Sequence, residues 1–146
     1  MPNILEQTAT IPGNASREDV LTSLFEIFEK HADLDALAAV KKAALEREST
    51  SSTFLGRGLA LPHGRADGLE SITIAVGVSE SGVAWPDASG KAYLVLLLGV
   101  PAAMIRDYLL LTQKILRWHK DTKTLDADGR VLDAAALMAE LKSVVA

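Results

Sequence analysis

The chain has 146 residues, enough for one domain with a buried core and too few for two of ordinary size, so a single domain over 1–146 is expected. Hydrophobic residues make up 49% of it, as in a globular chain, and the net charge of −4 argues against a nucleic-acid partner, which needs a basic face. Cysteine is absent, which excludes disulfides, thiol nucleophiles and cysteine-ligated metals. The N-terminal "MPNILEQTATIPGNAS" has no basic or apolar signal region. Ser16 and Asp19 read as an acidic capping box, followed by Val20, Leu21, Leu24, Phe25, Ile27 and Phe28 at helical spacing to near His31. Asp33 is placed to cap a second helix through Glu48, with Leu34, Leu37, Val40 and Leu45 as its buried side.

"STSSTFLGRG" breaks the periodicity and reads as a loop. Leu59-Ala60-Leu61 is a short apolar strand that Pro62 should end, and Gly64 would let the chain turn there. "SITIAVGV" (71–78) alternates as a half-buried strand. "SESGVAWPDASGK" is rich in turn formers, with a short strand near Val83-Ala84-Trp85. "YLVLLLGV" (93–100) is apolar on both parities, as a central strand covered on two faces should be. Pro101 opens a third helix with Met104, Ile105, Tyr108, Leu109, Thr112, Ile115 and Leu116 on one face. Leu110 and Leu111 widen that face, so the helix is expected to be well buried. A last helix turns Leu137, Met138, Leu141 and Val144 inward. The interspersed elements predict a single layered α/β domain, a mixed sheet flanked by helices. The longest apolar run, "YLVLLLGVPAAMI", is interrupted by Gly99 and Pro101 and too short to cross a bilayer. A cytoplasmic protein without membrane insertion is expected.

Spacing removes several chemistries. His31, His63 and His119 form no local ligand pair, so no metal site is expected. "GVSESG" lacks the second glycine of a nucleophile elbow, and "GRG" at 56–58 is neither a dinucleotide fingerprint nor a P-loop. Trp85 and Trp118 read as half-buried core, and the charged stretch from Lys114 to Lys123 as a solvated helix end. No cofactor is implied. His63 is retained as a candidate because it stands between Pro62 and Gly64 at a strand end, where imidazoles are placed for chemistry about as often as for packing. Arg47 ends the second helix, where the dipole favours a cation, and the loop after it leads back to His63.

"EREST…STFLGRGLALPHGR" and "ITIAVGVSESGVAWPDASGKAYLVLLLGVP" resemble the enzyme IIA components of the phosphotransferase system, fructose–mannitol branch, which includes the nitrogen-regulatory IIA proteins. The resemblance covers most of the chain, fades after about residue 120, and implies the mixed-sheet fold of that family. It implies that His63 accepts a phosphoryl group from the histidine-containing phosphocarrier protein, in a donor chain that begins at phosphoenolpyruvate. Arg47 would steady the phosphate. Arg57 and Arg65 flank the strand and are expected to face solvent or the incoming phosphocarrier. The family commonly has a second histidine at the start of the helix after "VP", and Tyr108 stands there instead. A regulatory, nitrogen-type role is the first expectation. A IIA component of fructose or mannitol transport with a separate IIB partner is the second. Tyr108 favours a third, a non-catalytic interaction module on the same fold.

Overall fold

The computed structural model describes residues 2–30, 34–50, 52–86 and 90–146. Its strands and helices are β1 (Asn3–Thr10), α1 (Arg17–Phe28), α2 (Leu34–Thr50), β2 (Phe54–Gly56), β3 (Leu59–Ala60), β4 (His63–Ala66), β5 (Thr73–Ala84), β6 (Lys91–Pro101), α3 (Ile105–Asp121) and α4 (Ala134–Val145). The six strands form one mixed sheet in the order β1-β5-β6-β3-β2, with β4 also paired to β6. β6 lies antiparallel to β5 and parallel to both β3 and β4. Its burial on both parities, from Ala92 to Pro101, is the covered central strand its sequence calls for.

Each face of the sheet carries a pair of helices. Leu21, Leu24, Phe25 and Phe28 of α1 and Leu37, Val40 and Ala44 of α2 pack with Ala60, Ala75, Val95 and Leu97. On the opposite face, Leu111 and Ile115 of α3 and Leu137, Leu141 and Val145 of α4 cover Leu59, Ile74, Val76, Leu94, Leu96 and Leu98. Burial of each large apolar side chain contributes about 1.5–3 kcal/mol, so the two layers together outweigh any single cap or ion pair. α1 has the capping box expected of Ser16 and Asp19, and its six expected apolar residues are all buried. α1 itself ends at Phe28. His31 and the proposed cap Asp33 lie outside the described residues, as do residues 87–89 of the stretch rich in turn formers. Among the described residues, no helix is long and apolar enough to cross a membrane.

Several local expectations are corrected. β1 and β2 are strands that carry no readable pattern, because both lie at sheet edges and β1 buries only Leu5. β5 is buried on both faces through Gly77, since Ala75 packs in one cluster with helix α1 and Gly77 lies against Leu24 of that helix instead of water. It continues past a register shift between Val78 and Val83 to Ala84, absorbing the short strand expected near Trp85. In α2, Leu45 is exposed and Ala44 takes the buried position. In α3 only Leu111, Ile115 and His119 are buried. Leu109 and Leu110 are 55% and 53% exposed, because a helix lying on a sheet covers one ridge of an apolar band wider than the contact. Pro101 closes β6 and precedes a 3-10 turn (Ala102–Met104), so α3 begins four residues after it.

Candidate active site

Pro62 has no N–H and cannot continue the ladder of β3, although its carbonyl still accepts from Leu98 N at 2.9 Å. Pairing to β6 resumes at once, with His63 opposite Leu98 and Gly64 opposite Gly99. The chain therefore runs on extended through Gly64 instead of turning there. The glycine is needed for a different reason. A Cβ at position 64 would collide with the Val40 carbonyl and lie 3.1 Å from Ala44 N, so its absence lets α2 rest on the backbone of β4. That contact brings the last turn of α2, which carries Arg47, beside His63.

The result is a cleft of about 530 Å³ lined by Ala43, Glu46 and Arg47 of α2, His63, Gly64 and Arg65 of β4, and Ile105 and Tyr108 of α3. The structure thus gathers four of the five residues singled out from sequence. Arg47 and Arg65 are exposed and line the cleft, while His63 and Tyr108 are half-buried. His63 Nδ1 lies 3.3 Å from the Leu61 carbonyl oxygen and 3.3 Å from the Tyr108 hydroxyl. The two rings are tilted by 39° with centroids 5.0 Å apart. A carbonyl only accepts, so the Leu61 contact assigns the proton to Nδ1 and leaves the lone pair on Nε2. With Nδ1 as the donor, the Tyr108 oxygen accepts the second branch of that bond, and its own proton remains available to an anion in the cleft.

Burial holds the His63 pKa below the ordinary histidine value. The hydrogen bond to Leu61 opposes this, the Arg47 and Arg65 charges add to the lowering, and the Glu48 carboxylate works against them. The imidazole is therefore neutral at pH 7, the form with a nucleophilic lone pair. Burial pushes the Tyr108 phenol above its ordinary value, so it stays protonated. The site thus offers a neutral imidazole, a phenolic donor and two guanidinium groups in one concavity. Such a set suits an incoming group with several anionic oxygens.

Arg57 corrects the expectation that it faces solvent or a docking protein. It takes a positive φ of 44° in the turn between β2 and β3. Its guanidinium donates to the carbonyls of His119, Lys120, Leu125 and Asp126 at 2.6–3.3 Å. His119 returns a bond from Nε2 to the Arg57 carbonyl at 3.0 Å. The pair staples the end of α3 and the following loop onto the β2–β3 turn, away from the cleft lining. A second groove of about 550 Å³ lies between α3 and α4. Its central carboxylate, Glu140, accepts from Trp118 Nε1 and Thr122 Oγ1, and none of the described residues lining the groove is a histidine.

Sequence reasoning missed Glu48. Its side chain is 1% exposed, and it lies on the stripe that begins with Leu37, Val40 and Ala44. An acidic residue in phase with a buried stripe was the available signal.

Residues 4–144 match the family model described as "Phosphoenolpyruvate-dependent sugar phosphotransferase system, EIIA 2". A curated relative from Bacillus subtilis, a fructose-specific EIIABC component of the phosphotransferase system, is 35% identical over 83 residues, covering 56% of this chain and 13% of that longer protein. A fructose-specific EIIA component from Haloferax volcanii is 29% identical over 121 residues, covering 80% of this chain and 79% of its own length. Among solved structures, the nitrogen regulatory protein IIA-Ntr of Neisseria meningitidis superposes with a TM-score of 0.77 at 24% identity, over 95% of this chain and 92% of that one. The mannitol IIA in its complex with phosphorylated IIB from Escherichia coli gives 0.71 at 16% identity, over 97% and 94%. At these identities the structural likeness speaks for the fold.

Proposed function

Because the chain belongs to the EIIA 2 family of the phosphoenolpyruvate-dependent phosphotransferase system, we propose that it carries a phosphoryl group on Nε2 of His63. The observation that carries this reading is the Nδ1 contact with the Leu61 carbonyl, which leaves Nε2 unprotonated in a residue lining the arginine-flanked cleft. The donor is the histidine-containing phosphocarrier protein. The Nε2 lone pair attacks phosphorus, the N–P bond to the donor imidazole breaks, and that imidazole leaves with the electron pair. His63 keeps its proton on Nδ1 throughout. As positive charge develops on the ring, the bond to the Leu61 carbonyl strengthens. Arg47 and Arg65 neutralise the phosphoryl oxygens, and the Tyr108 hydroxyl donates to one of them.

The downstream role is the finer part of the proposal. Tyr108 supports the regulatory reading. A phenol can hold a phosphoryl oxygen but cannot become a cation, so the adduct is less readily passed on and persists as a signal. The fructose-specific descriptions of the curated relatives, and the solved complex of a mannitol IIA with phosphorylated IIB, favour a second reading, with a IIB component as acceptor. Incubation with phosphoenolpyruvate, enzyme I and the phosphocarrier, followed by intact mass and peptide mapping, tests the core of the proposal. One acid-labile phosphoryl group on His63 is expected. Absence of an adduct, or an adduct that persists in His63→Ala, overturns the reading and leaves the interaction-module alternative. Chasing the labelled protein with IIB then separates the two downstream roles.

A further inference from the structure

Glu48 is a carboxylate where both helix position and burial disfavour one. It lies in the last turn of α2, near the negative end of the helix dipole, and its side chain is 1% exposed. A buried carboxylate is strongly unfavourable without partners, and Glu48 is only partly supplied. The Thr53 hydroxyl donates to Oε1. Oε2 has no hydrogen-bond partner among the described residues, and its cation is Arg17, with Nη1 at 3.7 Å. The same Nη1 donates to the Glu48 carbonyl at 3.2 Å. Apolar packing of the same volume would often be at least as stable, so stability alone does not account for an acid here.

The bonds beyond Thr53 point to a role. The Thr53 carbonyl accepts from Leu61 N at 3.1 Å. The Leu61 carbonyl is in turn the acceptor facing His63 Nδ1 at 3.3 Å. A continuous chain therefore runs from the Glu48 carboxylate through the buried Thr53 and Leu61 to the imidazole. A partner behind an imidazole decides which nitrogen carries the proton and how the ring is aimed. Arg47, the neighbour of Glu48 on the same helical turn, lines the cleft from the other side. One carboxylate thus ties together the segment that orients the nucleophile and the helix end that carries a cation.

We infer that Glu48 is a positioning residue for phosphoryl transfer, holding His63 in its Nδ1–H tautomer through Thr53 and Leu61. The inference rests on His63 being the phosphoryl acceptor, and the ring itself supplies a readout that does not depend on transfer. In 15N-labelled protein the ring nitrogen shifts distinguish the two tautomers. The expected wild-type pattern is Nδ1–H. Glu48→Ala and Thr53→Val should shift His63 toward Nε2–H and slow uptake from the phosphorylated phosphocarrier about tenfold. Their far-ultraviolet circular dichroism should be unchanged. Glu48→Gln keeps an acceptor oxygen for Thr53 and should restore both tautomer and rate. A folded Glu48→Ala with the wild-type ring pattern overturns the inference, as does slowed uptake with an unchanged tautomer. Should Glu48→Ala fail to fold, Thr53→Val decides alone, and wild-type behaviour there is equally fatal. If the wild-type protein takes up no phosphoryl group, the functional reading falls and the transfer role of Glu48 with it, while the ring pattern of Thr53→Val still decides whether the Glu48–Thr53–Leu61 chain sets the His63 tautomer.

Discussion

The His63 cleft and the His119 anchor are assembled from the same three parts: an imidazole, an arginine and a backbone carbonyl. In the anchor, His119 donates to the Arg57 carbonyl, and the Arg57 guanidinium is engaged by four carbonyls of the α3 end and the loop after it. In the cleft, His63 donates to Leu61, and the arginines come from two elements, α2 and β4, and line a concavity of about 530 Å³ that α3 also borders. These bonds of the anchor close within the fold, whereas the cleft sets an imidazole and two guanidinium groups around a concavity. A histidine near an arginine is thus uninformative by itself. What distinguishes a site is where the guanidinium points and whether a concavity is left in front of it.

Replacing each histidine breaks the comparison most directly. His63→Ala should abolish labelling by the phosphorylated phosphocarrier. His119→Ala should label at close to the wild-type rate and lose on the order of 1–3 kcal/mol of stability in urea unfolding, through its lost bond and partner. Labelling lost in both would mean that the anchor belongs to the chemistry. The arginines should divide in the same way. Arg47→Ala removes a charge-assisted bond of about 1.5–3 kcal/mol from the transition state, a rate loss of roughly tenfold to a hundredfold. Arg57→Ala should leave the concentration dependence on donor unchanged and lower the urea midpoint. A normal midpoint with weakened donor binding would return Arg57 to the docking role first read from its sequence position.

Those arginines also show how far the sequence was legible. Arg57 is six residues from His63 and Arg47 sixteen, yet only the distant one reaches the cleft. The intervening chain doubles back, and a positive φ at Arg57 turns its side chain toward the α3 end. Sequence distance could not reveal that reversal. The core of α1 and the run of β6 were readable, because their apolar spacing matches the contacts they make. α3 was not, since Leu109, Leu110 and Leu111 all fall within one wide apolar band and only packing selects the ridge that is covered. Pro62-His63-Gly64 was readable as a candidate through its turn-forming neighbours, although Gly64 serves close approach to Val40 and not a turn. Glu48 was hidden because a charged residue at a helix end is ordinarily solvated.

A smaller effect is expected at Tyr108, the residue that sets this cleft apart from the two-histidine pattern. Tyr108→Phe keeps the ring packing against His63 and removes one neutral hydrogen bond, so uptake should slow about two- to tenfold without loss of stability. Tyr108→His supplies a group that can become cationic and should speed transfer. Stopped mixing with labelled donor measures both. An unchanged rate in each variant would reduce Tyr108 to a packing residue.

The smallest effect, and the one that puts both histidines on a single axis, is the dependence on pH. Burial lowers the pKa of His63 and of His119 below the ordinary value near 6.5. In each case the unfolded chain binds a proton at a pH where the folded chain does not. The associated stability is thus complete above about pH 6.5 and is lost progressively as pH falls from there through the lowered folded values. Both histidines act in this direction, so His63→Gln and His119→Gln should each flatten the acid side of the stability curve. The rate separates them. Uptake requires neutral His63, so its decline on acidification should be centred below 6.5, where the folded imidazole gains its proton. His119→Gln should leave that decline in place. Titration of the ring C–H resonances alongside initial rates checks the assignment: a decline centred at 6.5 or above would mean that His63 is not held neutral by burial, whereas a decline that moves in His119→Gln would join the anchor to the cleft.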